Sequence, residues 1–482
     1  MSSISKNDNV SQPPGQHVVF FPFMSKGHTI PLLQLARLLL HRRRHISVTF
    51  LTTPANRPFI AQFLSGTASS IVELPFPEDV AGIPAGVEST DTLPSMSLFF
   101  SFINSTELMK PDFERALKNL DPPASFLVSD GFLWWTLESA SKLGLPRLVS
   151  YGSSNYFMAV RTALTLSGAL HRHEPEREII TVPSFPWIKF NRNEFKYPVL
   201  QNPQAKELMT KCDDATNRSF GIIGNSFYEL ESVFIDQWNR EIGPKIWPVG
   251  PLCLQAQPES CSATVVHQWL DEKLEKDESS SVLYVAFGSQ VEISSEQHRE
   301  IAKGLEESNV NFLWVIRKPK DETKDCLPDG FENRVKNRGK VLTDWVDQTK
   351  ILNHRSVQGF LSHCGWNSVL ESICAGVPIL AWPMRAEQSL NAKLVVEEVK
   401  MGLRVETCDG TSKGFVRSQG LRKMVEELME GEMGKEVRKK VKEVADMAKK
   451  AVEEGGSSWQ ALDSLIDEAC KFGAKRDSEM YG

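Results

Sequence analysis

Short apolar runs of strand length alternate along the chain with longer stretches whose apolar positions recur at helical spacing. His17–Phe23 is the first such run. Ile30–His41 follows it with Leu32, Leu35, Ala36, Leu39 and Leu40 on a helical repeat, and Ile46–Leu51 is then rich in β-branched residues. Strand, helix, strand in that order is a parallel crossover unit. Ser125–Ser129, Gly131–Lys142 and Arg147–Tyr151 repeat it, so the first half predicts a doubly wound α/β domain. Three prolines within Gly243–Leu254 predict a stiff, irregular connection. The alternation restarts with Ser281–Phe287, Glu296–Ser308 and Asn311–Arg317, and further strands are expected at Lys340–Thr343, Gln358–Ser362 and Pro378–Trp382. From about Val416 the pattern is helical and charge-rich, and Gly455-Gly456 interrupts it before a last amphipathic helix near Trp459–Phe472. Mixed signs at i,i+4 make Glu432–Glu454 a solvated helix face, and the cations of His41–His45 suit a helix C-terminus.

The length of 482 residues fits two such domains, and 41% hydrophobic residues suffice for two cores without disulfide or metal staples. A net charge of −6 argues against a nucleic-acid-binding surface. No run of about 18 apolar residues predicts a membrane span. Met1–Gln16 is polar and lacks the apolar core of a secretory signal, which makes the cytoplasm the expected location. The eight cysteines all fall at or after Cys212 and form no C-x-x-C pair, so reduced thiols and no metal are expected. Sequons at Asn9, Asn104 and Asn217 are then chance matches.

The chemistry concentrates between Trp345 and Gln388. A strand ending near Ser362 should pass through Gly365 into a helix that stops at Gly376, the residue type of a helix C-cap. Glycine at that turn lets a ligand approach the backbone, and first-turn N–H groups form an anion site. His363, Asn367 and Ser368 add donors around it. Glu371, four residues after Asn367, could accept from a ribose diol. Ser368-x-x-Glu371 equally fits a capping box serving its own helix, and the residues alone leave both readings open.

This 44-residue segment closely resembles the plant secondary product glycosyltransferase box, the donor-binding signature of plant family 1 UDP-sugar-dependent glycosyltransferases. Lys26-Gly27-His28, Asn225 to Glu231, Trp269-Leu270-Asp271, Val285 to Ser289 and Phe312 to Arg317 also fit, so the resemblance spans nearly the whole chain. It implies two Rossmann-like domains facing a cleft, the GT-B arrangement. It also implies that Trp345 stacks on uracil, that the Val346 backbone pairs with the base edge and that Gln348 lines the nucleoside pocket. Glu371 would hold the ribose hydroxyls. His363, Asn367, Ser368 and Ser289 would contact the diphosphate near Gly365, and Trp366, Glu387 and Gln388 the sugar. Gln388 resembles glucose-preferring members. By the same resemblance His28 is the general base and Asp130 the carboxylate that orients it. The reaction would be an inverting transfer from UDP-sugar, without metal, to a β-O-glycoside. The family usually carries Pro where this chain has Asp347, which predicts a looser loop at Val346 and a modest loss of donor affinity.

Residues 1–16 are expected to form a polar start without fixed structure, 17–253 an acceptor-binding domain, and 254–456 a UDP-sugar-binding domain. The remainder, 457–482, would pack back on the first domain. Acceptor walls are sought among Phe23, Met24, Phe99, Phe100, Phe132, Trp134, Trp135, Tyr151, Phe185 and Trp187, which suit a flat phenolic or terpenoid molecule. A monomer with only small-molecule partners is expected. A nicotinamide-dependent oxidoreductase is the first alternative, weakened by the absence of G-x-G-x-x-G, and a non-catalytic UDP-sugar binder the second. The lone G-x-S-x-G at Gly410–Gly414 lacks the strand an esterase elbow needs.

Overall fold

The computed structural model describes residues 15–42, 45–78, 80–169, 179–191, 202–254, 265–276, 281–288, 290–316, 327–409 and 414–481. The polar start to residue 14, Ser289 and the serine of the Gly410–Gly414 match lie outside the described residues.

The first sheet contains β1 (Gln16–Phe21), β2 (Ile46–Thr52), β3 (Ser69–Glu73), β4 (Phe126–Asp130) and β5 (Arg147–Ser150). An antiparallel pair, β6 (Ile179–Val182) and β7 (Phe185–Asn191), stands apart from it, and β8 (Gly221–Gly224) and β9 (Ile246–Pro248) complete it. Its order is β3-β2-β1-β4-β5-β8-β9, with every pairing parallel. The second sheet is β10 (Val282–Ala286), β11 (Asn311–Val315), β12 (Gly339–Leu342), β13 (Val357–Ser362), β14 (Ile379–Ala381) and β15 (Gly402–Arg404). It is also parallel throughout, in the order β12-β11-β10-β13-β14-β15. Each order reverses direction beside its first strand, and an open parallel sheet presents ligands at the carboxyl ends of such strands.

Two sequence expectations change. Gly243–Leu254 is not irregular throughout. Ile246 and Trp247 are buried, and β9 adds to the edge of the first sheet beside β8. The helix expected from Gly131 begins only at Thr136. The intervening turn is held by Asp130 itself, whose carbonyl accepts from Leu133 N and whose Oδ1 accepts from Phe132 N at 2.9 Å.

The cores of the two halves are continuous. Tyr156, Val160 and Phe234 from the first half share one buried cluster with Trp366, Val369 and Ile373 from the second. The Ser457–Tyr481 helix returns to the first sheet: Leu462, Leu465, Ile466 and Ala469 are buried with Val18, Phe20, Leu35 and Phe126. The Arg42 guanidinium lies 3.2 Å from the Trp459 ring centroid at that junction.

Candidate active site

His28 sits in the first turn of the Lys26–Arg42 helix, directly after β1. Asp130 is the last residue of β4, which pairs with β1. Adjacent parallel strands thus bring together two residues separated by 102 positions: His28 Nδ1 lies 2.7 Å from Asp130 Oδ2. A carboxylate only accepts, so this contact places the ring proton on Nδ1 and leaves Nε2 as the basic nitrogen. The Asp130 side chain is almost completely buried and that of His28 is one-fifth exposed. Burial pulls the His28 pKa down. The Asp130 charge and hydrogen bond, helped by Glu387 and Asp91, outweigh it and leave the pKa raised. Gly152 keeps the other edge of the ring open, since a Cβ there would already lie 3.4 Å from Nε2.

Phenylalanines surround the imidazole. Phe23 and Phe132 have ring centroids 5.5 and 5.4 Å from it, and Phe99 packs edge-on against both. Phe23 is fully buried, whereas Phe99 and Phe132 are only partly covered. Met24 is buried beside them and its carbonyl accepts from Thr90 N. The other aromatic candidates lie elsewhere. The Tyr151 hydroxyl is tied to Thr216 at 2.7 Å, and its ring lies where a Cβ on Gly131 would be. Trp134 packs under the Lys211 ammonium. Trp135 is core and Phe185 packs on Phe234. Trp187 is half exposed and donates to Glu398. None of these five rings joins the cluster around His28.

Across the cleft, β13 leads through His363-Cys364-Gly365 into the Trp366–Ala375 helix, which ends on Gly376 in the left-handed conformation. Gly365 is the N-cap, so Ser368 is the third helical residue and the capping-box reading falls. Ser368 Oγ and Glu371 Oε2 instead both accept from Gln348 Nε2, at 2.8 and 2.5 Å, and Thr349 Oγ1 lies 3.4 Å from Glu371 Oε1. The Glu371 carboxylate is therefore pre-oriented by a neighbouring helix. Burial pushes its pKa up to about 7, against the hydrogen bonds of Gln348 and Thr349. His363 is seated between two glycines: a Cβ on Gly288 would lie 2.8 Å from its Nε2 and one on Gly365 only 2.6 Å. Burial lowers the His363 pKa to about 4, so the ring is neutral at physiological pH.

The expected role of Trp366 needs correction. Its indole is buried and donates to the Asn225 carbonyl at 2.8 Å, so the side chain joins the core and only its backbone is placed at the helix start. Trp345, by contrast, is 71% exposed, with its adjoining Val346 half-buried. Asp347 has a local role at the start of the next helix. Its Oδ1 accepts from Lys350 N at 3.2 Å, capping the Gln348–Leu352 helix that carries Gln348. Removing an N-cap costs about 1 kcal/mol. Asp347→Ala should accordingly weaken UDP binding by about fivefold, which titration calorimetry would measure. Gln388 Oε1 accepts from the backbone N–H groups of Met384 and Arg385, leaving its amide nitrogen to donate.

The two sides touch through polar residues, one of which, Asn367, was expected at the diphosphate and the other, Gln290, was not singled out. Asn367 Nδ2 donates to the Gly27 carbonyl at 2.7 Å, and Gln290 Nε2 donates to Ser25 Oγ and Thr90 Oγ1. The turn bearing His28 is thus gripped at Ser25 and Gly27 by the facing domain. Behind Asp130, the buried Arg147 donates to Ser129, Thr136 and Ser219 hydroxyls and to the Asp130 carbonyl. Only the adjacency of Gln290 to Ser289, and the apolar strand around Arg147, could have hinted at either.

The family model described as "UDP-glucoronosyl and UDP-glucosyl transferase" matches residues 216–444. UDP-glycosyltransferase 90A1 of Arabidopsis thaliana is 53% identical to this chain, covering 96% of it and 97% of the relative. The chain belongs to the plant family 1 UDP-glycosyltransferases. A UDP-glucose flavonoid 3-O-glucosyltransferase of Fragaria ananassa is 34% identical over 94% of this chain and 96% of its own. Among solved structures, Glycyrrhiza uralensis UGT73P12, complexed with glycyrrhetinic acid 3-O-monoglucuronide, superposes with a TM-score of 0.85. It is 30% identical and the match covers 97% and 98% of the two chains. Phytolacca americana UGT2, complexed with UDP-2fluoro-glucose and pterostilbene, gives a TM-score of 0.79 at 30% identity, over 94% and 99%. This glycosyltransferase therefore has the GT-B fold and moves sugar from a UDP-sugar co-substrate to an acceptor, and the oxidoreductase and non-catalytic alternatives fall with that membership. Among the described residues no helix is long and apolar enough to cross a membrane, and no group of three or more His, Cys, Asp or Glu is placed to hold a metal ion.

Proposed function

We propose that this glycosyltransferase moves glucose from UDP-glucose to a hydroxyl of a small apolar or aromatic molecule, with inversion to a β-O-glycoside. The 2.7 Å contact between His28 and Asp130 within a ring of phenylalanines carries the proposal. His28 Nε2 takes the acceptor proton as the acceptor oxygen bonds to the anomeric carbon. The bond from that carbon to the UDP oxygen breaks as the new one forms. Asp130 stabilises the imidazolium. The charge on departing UDP is met by the first-turn amides of the Trp366–Ala375 helix and by neutral His363 as a hydrogen-bond donor, with no metal assigned. Glu371 receives the ribose diol, Trp345 the uracil face and the Val346 backbone its edge. Glu387 and the amide nitrogen of Gln388 meet the sugar hydroxyls, and Gln388 favours glucose.

Phe23, Phe99 and Phe132 make the acceptor wall beside the base apolar, which fits a flat ring system. The pterostilbene in one structural neighbour and the glycyrrhetinic acid 3-O-monoglucuronide in another support this acceptor class. A UDP-release screen of several UDP-sugars against flavonoids, stilbenes, simple phenols and terpenoids, followed by mass spectrometry, tests it. Release above background only with UDP-glucose and an aromatic or terpenoid alcohol is expected. Preference for another donor, or for strongly polar acceptors, overturns the reading.

A further inference from the structure

Three residues beyond the end of the donor box, Asn391 is fully buried and uses both ends of its amide on separate parts of the molecule. Its Oδ1 accepts from Ser154 Oγ at 2.9 Å. Ser154 belongs to the first domain and is the N-cap of the Asn155–Leu166 helix, with its Oγ also accepting from Phe157 N. The Asn391 Nδ2 donates to the Cys364 carbonyl at 3.0 Å and reaches Glu387 Oε1 at 3.5 Å. Cys364 has a φ of 63°, a left-handed conformation that costs a residue with a Cβ about 1–2 kcal/mol unless its surroundings hold it. They do so on both sides, since the Cys364 N–H donates to Ser362 Oγ at 3.2 Å and its carbonyl is held by Asn391. This kink turns the chain from β13 into the helix whose first-turn amides face the donor.

We propose that Asn391 is a positioning residue that sets donor-sugar discrimination, by holding the Glu387 carboxylate and the Cys364 carbonyl in one arrangement that the first domain fixes through Ser154. The proposal rests on the reading of Glu387 as a contact to the sugar hydroxyls. A single amide is suited to the task because it presents two donors toward two acceptors and one acceptor toward a hydroxyl. Aspartate in its place would keep the bond from Ser154 but set oxygen against oxygen at both Cys364 and Glu387. Burial pushes the Glu387 pKa up, and the Asn391 hydrogen bond is among the influences that oppose it.

The test compares kcat/KM for UDP-glucose and UDP-galactose, which differ only in the orientation of one hydroxyl, in Asn391→Asp, Ser154→Ala, Glu387→Gln and the double variant Asn391→Asp/Glu387→Gln. A merely structural role lowers both donors together. Positioning instead makes the glucose-to-galactose ratio fall by about fivefold or more in Asn391→Asp, the size of one misplaced sugar contact. The double variant should then discriminate no worse than Glu387→Gln alone, because the two residues act on one contact. Ser154→Ala, which barely changes the core volume, should move the ratio the same way by about twofold, and it serves as the test if Asn391→Asp does not fold. An unchanged ratio in folded Asn391→Asp or in Ser154→Ala, with Glu387→Gln shifting it, overturns the inference. An unchanged ratio in Glu387→Gln overturns the underlying assignment of Glu387 instead.

Discussion

Replacing His28 with alanine is expected to lower turnover by about 10²–10⁴-fold, the usual contribution of a positioned general base, while UDP affinity stays within about twofold. In the proposed mechanism the base and the nucleotide site lie on different domains, so truncating the imidazole should remove no donor contact. The clamp on its turn also survives, because Asn367 bonds to the backbone carbonyl of Gly27 and Gln290 to Ser25 and Thr90, none of which the substitution alters. Steady-state rates with a saturating acceptor, alongside calorimetric titration with UDP, separate the two effects. Wild-type turnover in a folded variant would remove His28 from the mechanism. Loss of UDP binding in step with activity would instead assign it a structural role.

Asp130→Asn should reduce kcat/KM by about 10²–10⁴-fold and also move its pH dependence. In the native protein burial lowers the His28 pKa, and the Asp130 charge and hydrogen bond are the main influences that raise it above 6.5. The base must be neutral to accept a proton, so the native rate climbs as pH rises through that raised value. With asparagine the Asp130 charge is gone, while burial remains, opposed only by Glu387 and Asp91. The His28 pKa then falls and the acid limb of the profile shifts toward lower pH. The lost height has a separate cause. An amide can donate to Nδ1 and place the ring proton on Nε2, the nitrogen that needs to be free. A profile measured from pH 5 to 9 distinguishes these effects. An acid limb that stays in place or moves upward contradicts the assignment.

The central strands of both sheets could be read from the sequence because they are apolar runs joined by helices that keep their repeat. By contrast, β3 (Ser69–Glu73), β8 (Gly221–Gly224) and β15 (Gly402–Arg404) are too short or too polar to stand out. The donor helix was legible down to its ends, Gly365 and Gly376, since glycine there has a local backbone reason. What escaped was whatever depends on the far side of the cleft. Nothing local marks Trp366 as core, because an aromatic residue at a helix start can point either way until Asn225 supplies a carbonyl for its indole. The missing proline at Asp347 was visible in the sequence, while its capping bond to Lys350 depends on a helix beginning there. The prolines around Ile246 suggested a connection, yet two buried side chains and a free sheet edge made it a strand. Acceptor aromatics were the least legible. Those whose backbone falls at the ends of β1 and β4 meet His28, and Phe99 on the helix facing them packs on both.

The return of the last helix to the first sheet sets a condition on how the chain is made. Ribosomes release the strands of the first sheet in order, and Pro248 completes it. The buried face that Leu462, Leu465, Ile466 and Ala469 cover then waits for roughly 220 more residues, on the order of 10–40 s at ordinary elongation rates. During that interval the nascent first domain carries an open apolar face over Val18, Phe20 and Leu35, a natural binding site for a holdase. A chain terminated just before the helix would keep every residue of the cleft and still leave the ribosome as a chaperone client.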